Sequence, residues 1–112
     1  MKTEISEGIL ERFAEEIMAI AEDNVADEHS RTGYTESLIE DEVELETGWC
    51  IQFSAKVVQQ NEKRTYDYPG YSGLYSVTVE VTAVYDEDGE ELPYEDCMLA
   101  ETKIQDMINR ML

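Results

Sequence analysis

Apolar residues recur at two different periods along this chain, and the places where the period changes limit what it can fold into. Over residues 3–25, Ile5, Ile9, Phe13, Ile17, Ile20 and Ala21 return every third or fourth position, and Leu10, Ala14 and Met18 widen the stripe. That spacing predicts an amphipathic helix, with Glu7, Glu11, Glu15 and Glu22 elsewhere on the cylinder. Thr3 or Ser6 is placed to cap its first turn, where acids also suit the helix dipole. Gly8 is the one discordant residue. Residues 27–35 (DEHSRTGYT) read as a polar loop.

From Ile39 the period drops to two. Ile39, Val43 and Leu45 alternate with Glu40, Glu42, Glu44 and Glu46, and after Thr47 and Gly48 the series continues through Trp49, Ile51, Phe53, Ala55 and Val57. Alternation of this kind predicts half-buried strands, with a bulge or tight turn at the glycine. A helix over residues 37–45 is the competing reading of the first of them. Residues 59–65 (QQNEKRT) break the pattern, and 66–73 (YDYPGYSG) read as a loop punctuated by Pro69, Gly70 and Gly73. The next strand is the clearest: Tyr75, Val77, Val79, Val81, Ala83 and Tyr85 on one face, Ser76, Thr78, Glu80 and Thr82 on the other. It ends at Asp88-Gly89, a strong turn signal, after which residues 90–92 can return as a short edge strand. Pro93 suits the start of a last helix, striped by Cys97, Ala100, Ile104, Met107 or Ile108, and Met111.

The expected fold is therefore α+β: about three antiparallel β-strands with an N-terminal and a C-terminal helix packed on one face, in α-β-β-β-α order. One sheet face under two helices is the economical way to bury these stripes. The 112 residues form one acidic domain, 1–112, with no linker, repeat or low-complexity tract. A chain of this length buries roughly two-thirds of its unfolded surface, enough for a core without disulfides or metal. No apolar run approaches the roughly 20 residues that cross a bilayer, and the N-terminus lacks a secretory pattern. A cytoplasmic, soluble protein is expected. Cys50 and Cys97 sit outside any CxxC or Cys/His cluster, so they read as small buried thiols without disulfide or zinc.

Charge narrows the partners. Twenty-seven acids against eight bases leave −19. Such a field repels nucleic acid and anionic membranes, so direct binding to either is not expected, and an electrostatic partner must be basic. Residues 1–48 carry −12 and 74–112 carry −8, while 49–73 carry +1. That middle segment holds Tyr66, Tyr68 and Tyr71, with Tyr75 just beyond, and tyrosine is favoured at binding hot spots. The bland reading is that these rings pack over the end of the sheet. The other notable feature is the acid row Glu40, Glu42, Glu44 and Glu46. On a strand, alternate residues share a face about 6.6–7 Å apart, close to the spacing of phosphates along one DNA strand. Its bland reading is a solvated outer face or a charged edge that prevents aggregation.

Catalysis finds little support. His29 is the only histidine, in a polar loop away from any nucleophile motif. Neither GxxxxGK[ST] nor GxGxxG occurs. Residues 84–95 (VYDEDGEELPYE) set Asp86, Asp88, Gly89 and Glu95 at calcium-loop positions. However, Val84 stands where the first ligand belongs and Pro93 disturbs the second half, so a hairpin turn is the better reading. No enzyme activity, cofactor or metal is expected.

An acidic N-terminal helix, the tyrosine/proline loop YDYPGYSG, the strand-to-turn stretch VTVEVTAVYDEDGEEL and a short end helix together have a familiar order. In that order the chain resembles small uncharacterised acidic α+β proteins encoded by phages and conjugative elements of gut bacteria. The resemblance implies a mobile-element origin and favours interference with host or rival nucleic-acid machinery. The expected function is a non-enzymatic binding protein, monomer or homodimer, that engages a basic protein partner as a nucleic-acid mimic. Glu40, Glu42, Glu44 and Glu46 would supply the field and Tyr66, Tyr68 and Tyr71 the short-range contacts. The alternative is a structural or accessory protein that self-associates and whose acidity serves solubility. A metal-dependent acid enzyme and halophilic adaptation are remoter readings.

Overall fold

A computed structural model describes residues 5–25 and 32–112. Helix α1 (Glu7–Asp23) is followed by strands β1 (Gly33–Glu44), β2 (Cys50–Glu62) and β3 (Tyr71–Tyr85), and helix α2 (Tyr94–Met111) ends the chain. The strands form one antiparallel sheet in the order β1-β2-β3. The expected α+β order is thus the observed one, and residues 37–45 are strand rather than helix through Glu44. The described residues fill an elongated body of 62 × 23 × 22 Å. No helix among them is long and apolar enough to cross a membrane.

Both helices lie on one face of the sheet. Ser6 caps α1 by accepting the Ile9 N–H, satisfying one donor of the first turn. The other proposed cap, Thr3, and His29 lie outside the described residues, as does 27–31 of the expected polar loop. Leu10, Phe13, Ala14, Ile17, Met18 and Ala21 carry the buried stripe of α1, while Ile5, Ile9 and Ile20 flank it half-buried. On α2 the stripe is Cys97, Ala100, Ile104 and Ile108, with Met107 half-buried and Met111 exposed. These residues meet Val43, Ile51, Phe53, Ala55, Val57, Val77, Val79 and Val81 from the sheet in one core. Truncating a fully buried member such as Phe13 to alanine would cost about 3–5 kcal/mol.

Two bulges in β3 correct the expected alternation. Val81 pairs with Phe53 and Ala83 with Gln52, so Thr82 is an extra residue; likewise Leu74 pairs with Gln59 and Ser76 with Val58, leaving Tyr75 extra. Each extra residue reverses the phase of the strand. Beyond the first, Val84 joins the core cluster, while Ala83, though buried, lies opposite Gln52 outside it; before the second, Leu74 instead of Tyr75 packs against the core. Tyr75 and Tyr85 therefore belong to the face away from the helices.

The strands also begin earlier and end later than their apolar residues indicate. Residues 33–35 and 59–62, expected as loop, are the paired ends of β1 and β2. Polar side chains there satisfy one another. Gln59 Nε2 donates to Asn61 Oδ1 at 2.6 Å, and Asn61 Nδ2 donates to Thr35 Oγ1 at 2.8 Å. Gln59 and Asn61 are buried, which a polar residue tolerates when it is hydrogen-bonded.

Candidate functional site

The outer face of the sheet has no layer over it among the described residues. The register sets its inventory. Along β1 it carries Tyr34, Glu36, Leu38, Glu40, Glu42 and Glu44, the positions alternate to the core residues Ile39 and Val43. Along β2 it carries Cys50, Gln52, Ser54, Lys56, Val58 and Gln60, and Glu80 of β3 lies opposite Ser54.

Three of the four expected acids share this face. Glu40, Glu42 and Glu44 are exposed on β1, and Gln52 Nε2 steadies Glu42 by donating to Oε2 at 3.0 Å. Glu46 does not continue the row, because β1 ends at Glu44 and Glu46 lies in the turn to β2. The strand stops there because Gly48 N–H donates to Leu45 C=O at 2.9 Å and Leu45 N–H to Trp49 C=O at 2.7 Å, closing the turn. Gly48 has φ +100°, and a Cβ on it would sit 3.2 Å from the carbonyl oxygen of Glu87. Only glycine suits both the backbone and the approach. That approach brings the turn bearing Glu87 against the turn bearing Glu46, so acids from β1 and from both turns gather at one end of the sheet.

Cys50 sits within this end, opposite Glu44 on one side and Tyr85 on the other. Burial and a hydrogen bond with Glu42, reinforced by the charges of Glu42 and Glu44, push its thiol up to about 11. A thiol so held stays protonated at neutral pH and is a poor nucleophile. Cys97, on the buried face of α2, also rises through burial, and both thiols are free. The 84–95 segment is a turn. Asp86 is buried, and its Oδ1 accepts the N–H groups of Asp88 at 2.9 Å and Glu90 at 3.0 Å. The return strand expected over 90–92 is one bridge between Glu91 and Tyr85, followed by Leu92 N–H donating to Val84 C=O. Among the described residues, no group of three or more His, Cys, Asp or Glu side chains is placed to hold a metal ion.

The structure separates the acids from the expected tyrosines. Glu44 lies opposite Cys50 at one end of β2, whereas Tyr71 lies opposite Glu62 at the other; thirteen residues of β2 set these ends about 40 Å apart. The tyrosines are also dispersed among themselves. Tyr66 stands wholly in solvent at the tip of a tight turn closed by Thr65 and Tyr68. Tyr68 Oη donates to Glu62 Oε2 at 2.6 Å, which raises the phenol's pKa above its ordinary value. Tyr71 folds its ring over Gly73, where a Cβ would collide with the hydroxyl.

A different tyrosine pair does converge. Tyr34 and Tyr75, from the two outer strands, approach across β2 with ring centroids 4.8 Å apart and planes tilted by 57°. Leu38 is exposed on the same face, between the acidic end and the tyrosine turn, but Glu36, paired with Lys56 Nζ at 3.3 Å, stands between it and Tyr34. Sequence reasoning missed the tyrosine pair for two reasons: Tyr34 lay in a stretch read as loop, and the bulge at Tyr75 moved that ring to the outer face. Comparison with protein-family models, curated proteins and solved structures finds no match for this chain, so the site rests on its own geometry.

Proposed function

We propose that this is a non-enzymatic binding protein of the cytoplasm whose acidic outer face engages a basic protein partner, with nucleic-acid mimicry as the specific form. The observation that carries the reading is that Glu40, Glu42 and Glu44 lie exposed in one file on an uncovered sheet face, beside the turns of Glu46 and Glu87. A file with a spacing of about 6.6–7 Å imitates part of a phosphate backbone, and the −19 of the whole chain extends its field outward. Long-range attraction of this kind acts on encounter rate and weakens with salt. The Tyr34–Tyr75 pair and the exposed Leu38 take the contact role first given to Tyr66, Tyr68 and Tyr71, since they lie on the same face as the acids.

The test is capture from a lysate of the source organism at about 100 mM and about 500 mM salt, using the wild type and a Glu40→Gln/Glu42→Gln/Glu44→Gln variant. A discrete basic protein held by the wild type at low salt, and lost by both the variant and high salt, supports the reading. Equal capture by the variant removes these glutamates from the interface.

A further inference from the structure

The two long edges of the sheet differ in whether their backbone is occupied. Two hydrogen bonds fix which backbone groups of β1 face β2. Leu45 N–H donates to Trp49 C=O, and Val43 lies opposite Ile51 in the same register, so odd-numbered residues exchange bonds with β2. Even-numbered residues point the other way, as Glu42 N–H demonstrates by donating to Asp41 Oδ1 at 2.7 Å. Tyr34, Glu36, Leu38 and Glu40 thus direct N–H and C=O groups outward along the free side of β1. Among the described residues, no side chain or segment hydrogen-bonds to them there.

We propose that residues 34–40 of β1 accept a basic extended segment of a partner protein as a fourth strand of the sheet. The proposal rests on the acidic-face reading above and specifies how the partner enters. An added strand gains main-chain bonds from an open edge and selectivity from alternate side chains. The outer-face side chains it would meet are, in order, Tyr34, Glu36, Leu38 and Glu40. Tyr34 and Leu38 are 59% and 69% exposed, unusually open for large apolar groups on a strand, and no base lies anywhere in β1. An antiparallel segment carrying Lys or Arg, an apolar residue, Lys or Arg, then an aromatic residue at every second position complements all four. The stretch ends at Glu40 because the Asp41 carboxylate already occupies the next outward N–H, that of Glu42. A second copy of the chain is the poorer occupant: it brings the five acids of its own β1 and another −19 against this edge.

The probe is a synthetic peptide, acetyl-Lys-Thr-Val-Thr-Lys-Thr-Tyr, compared with the same peptide N-methylated at both lysines, the valine and the tyrosine. Methylation keeps charge and side chains while removing the N–H groups that would face β1. The expected result is binding at about 100 mM salt that weakens at about 500 mM, slowed amide exchange at Tyr34, Glu36, Leu38 and Glu40, and at least tenfold weaker binding of the methylated peptide. Equal binding of both peptides would overturn strand addition while leaving the acidic-face reading intact. Absence of binding by the parent peptide overturns it too, as does a peptide-free dimer, seen by sedimentation, that protects the same four amides.

Discussion

The edges of this sheet solve the same problem in opposite ways. On β3 three outward backbone groups over Val77–Val81 are taken up by α2: Gln105 Oε1 accepts Val79 N–H, Gln105 Nε2 donates to Val77 C=O, and Glu101 Oε1 accepts Val81 N–H, each at 2.8 Å. On β1, among the described residues, only the outward N–H of Glu42 is covered, by its neighbour Asp41, and the rest is left to charge. Asp41 occupies an inward-facing position opposite Phe53, yet its side chain is exposed and turned back over the edge. A charge at such a position, with a file of glutamates beside it, is a recognised way to discourage edge-to-edge pairing. One edge is closed by specific bonds, the other guarded by a field. Only the second can be opened by a partner of opposite sign.

The largest expected effect comes from breaking the closed edge. A Glu101→Ala/Gln105→Ala variant removes three bonds to partly buried backbone groups, and should lose about 2–4 kcal/mol in urea unfolding. Exchange of the Val79 and Val81 amides should accelerate more than that of amides in β2. A loss below about 0.5 kcal/mol would mean that water replaces α2 at this edge, and the contrast between the edges would collapse.

The contrast also explains how far the sequence could be read. Element order followed from the change of period at Ile39 and the return of helical spacing at Cys97, because core residues such as Phe13, Ile51 and Ile104 leave a periodic trace. Residues 59–61 leave none, since Gln59 and Asn61 are buried by pairing with each other and with Thr35, not by being apolar. The bulges at Tyr75 and Thr82 are equally silent: both residues continue a run of good β-formers, and only the register with β2 shows that each is extra. The low charge of residues 49–73 has a structural cause as well. Much of that segment is β2, which is flanked by strands on both sides, where a run of carboxylates would lose solvation. The acid row was legible because outer-face residues of a half-buried strand alternate with core ones. Its distance from the tyrosine turn was not, because it depends on the strands being about 40 Å long.

Cys50 offers a reading of the field at the open edge. Its pKa is raised from near 9 to about 11, by burial first and then by Glu42 and Glu44. Below pH 9 the thiolate fraction, and with it the rate of alkylation by iodoacetamide, should be roughly a hundredfold below that of an unperturbed thiol. Glu42→Gln should recover several-fold of that rate. No recovery would assign the whole shift to burial and detach Cys50 from the acids. The sign of the stability change follows. A thiol whose folded pKa exceeds its unfolded one keeps its full contribution below about pH 9 and loses it as the pH rises toward 11.

The smallest effect tests the guard on the open edge. Asp41→Ala removes a carboxylate that accepts a single exposed N–H, and water can replace it, so stability should change by less than about 0.5 kcal/mol. The consequence lies in which backbone groups become available. With Asp41 gone, Glu42 N–H joins those of Tyr34, Glu36, Leu38 and Glu40 in facing open solvent. A basic strand one alternation longer should then protect all five amides, where the wild type protects four. If exchange at Glu42 is the same with and without Asp41, the carboxylate is not guarding the edge. The limit of the accepting segment would then lie in the acids of Glu42 and Glu44, whose mutual repulsion a longer basic strand would relieve in the wild type as readily as in the variant.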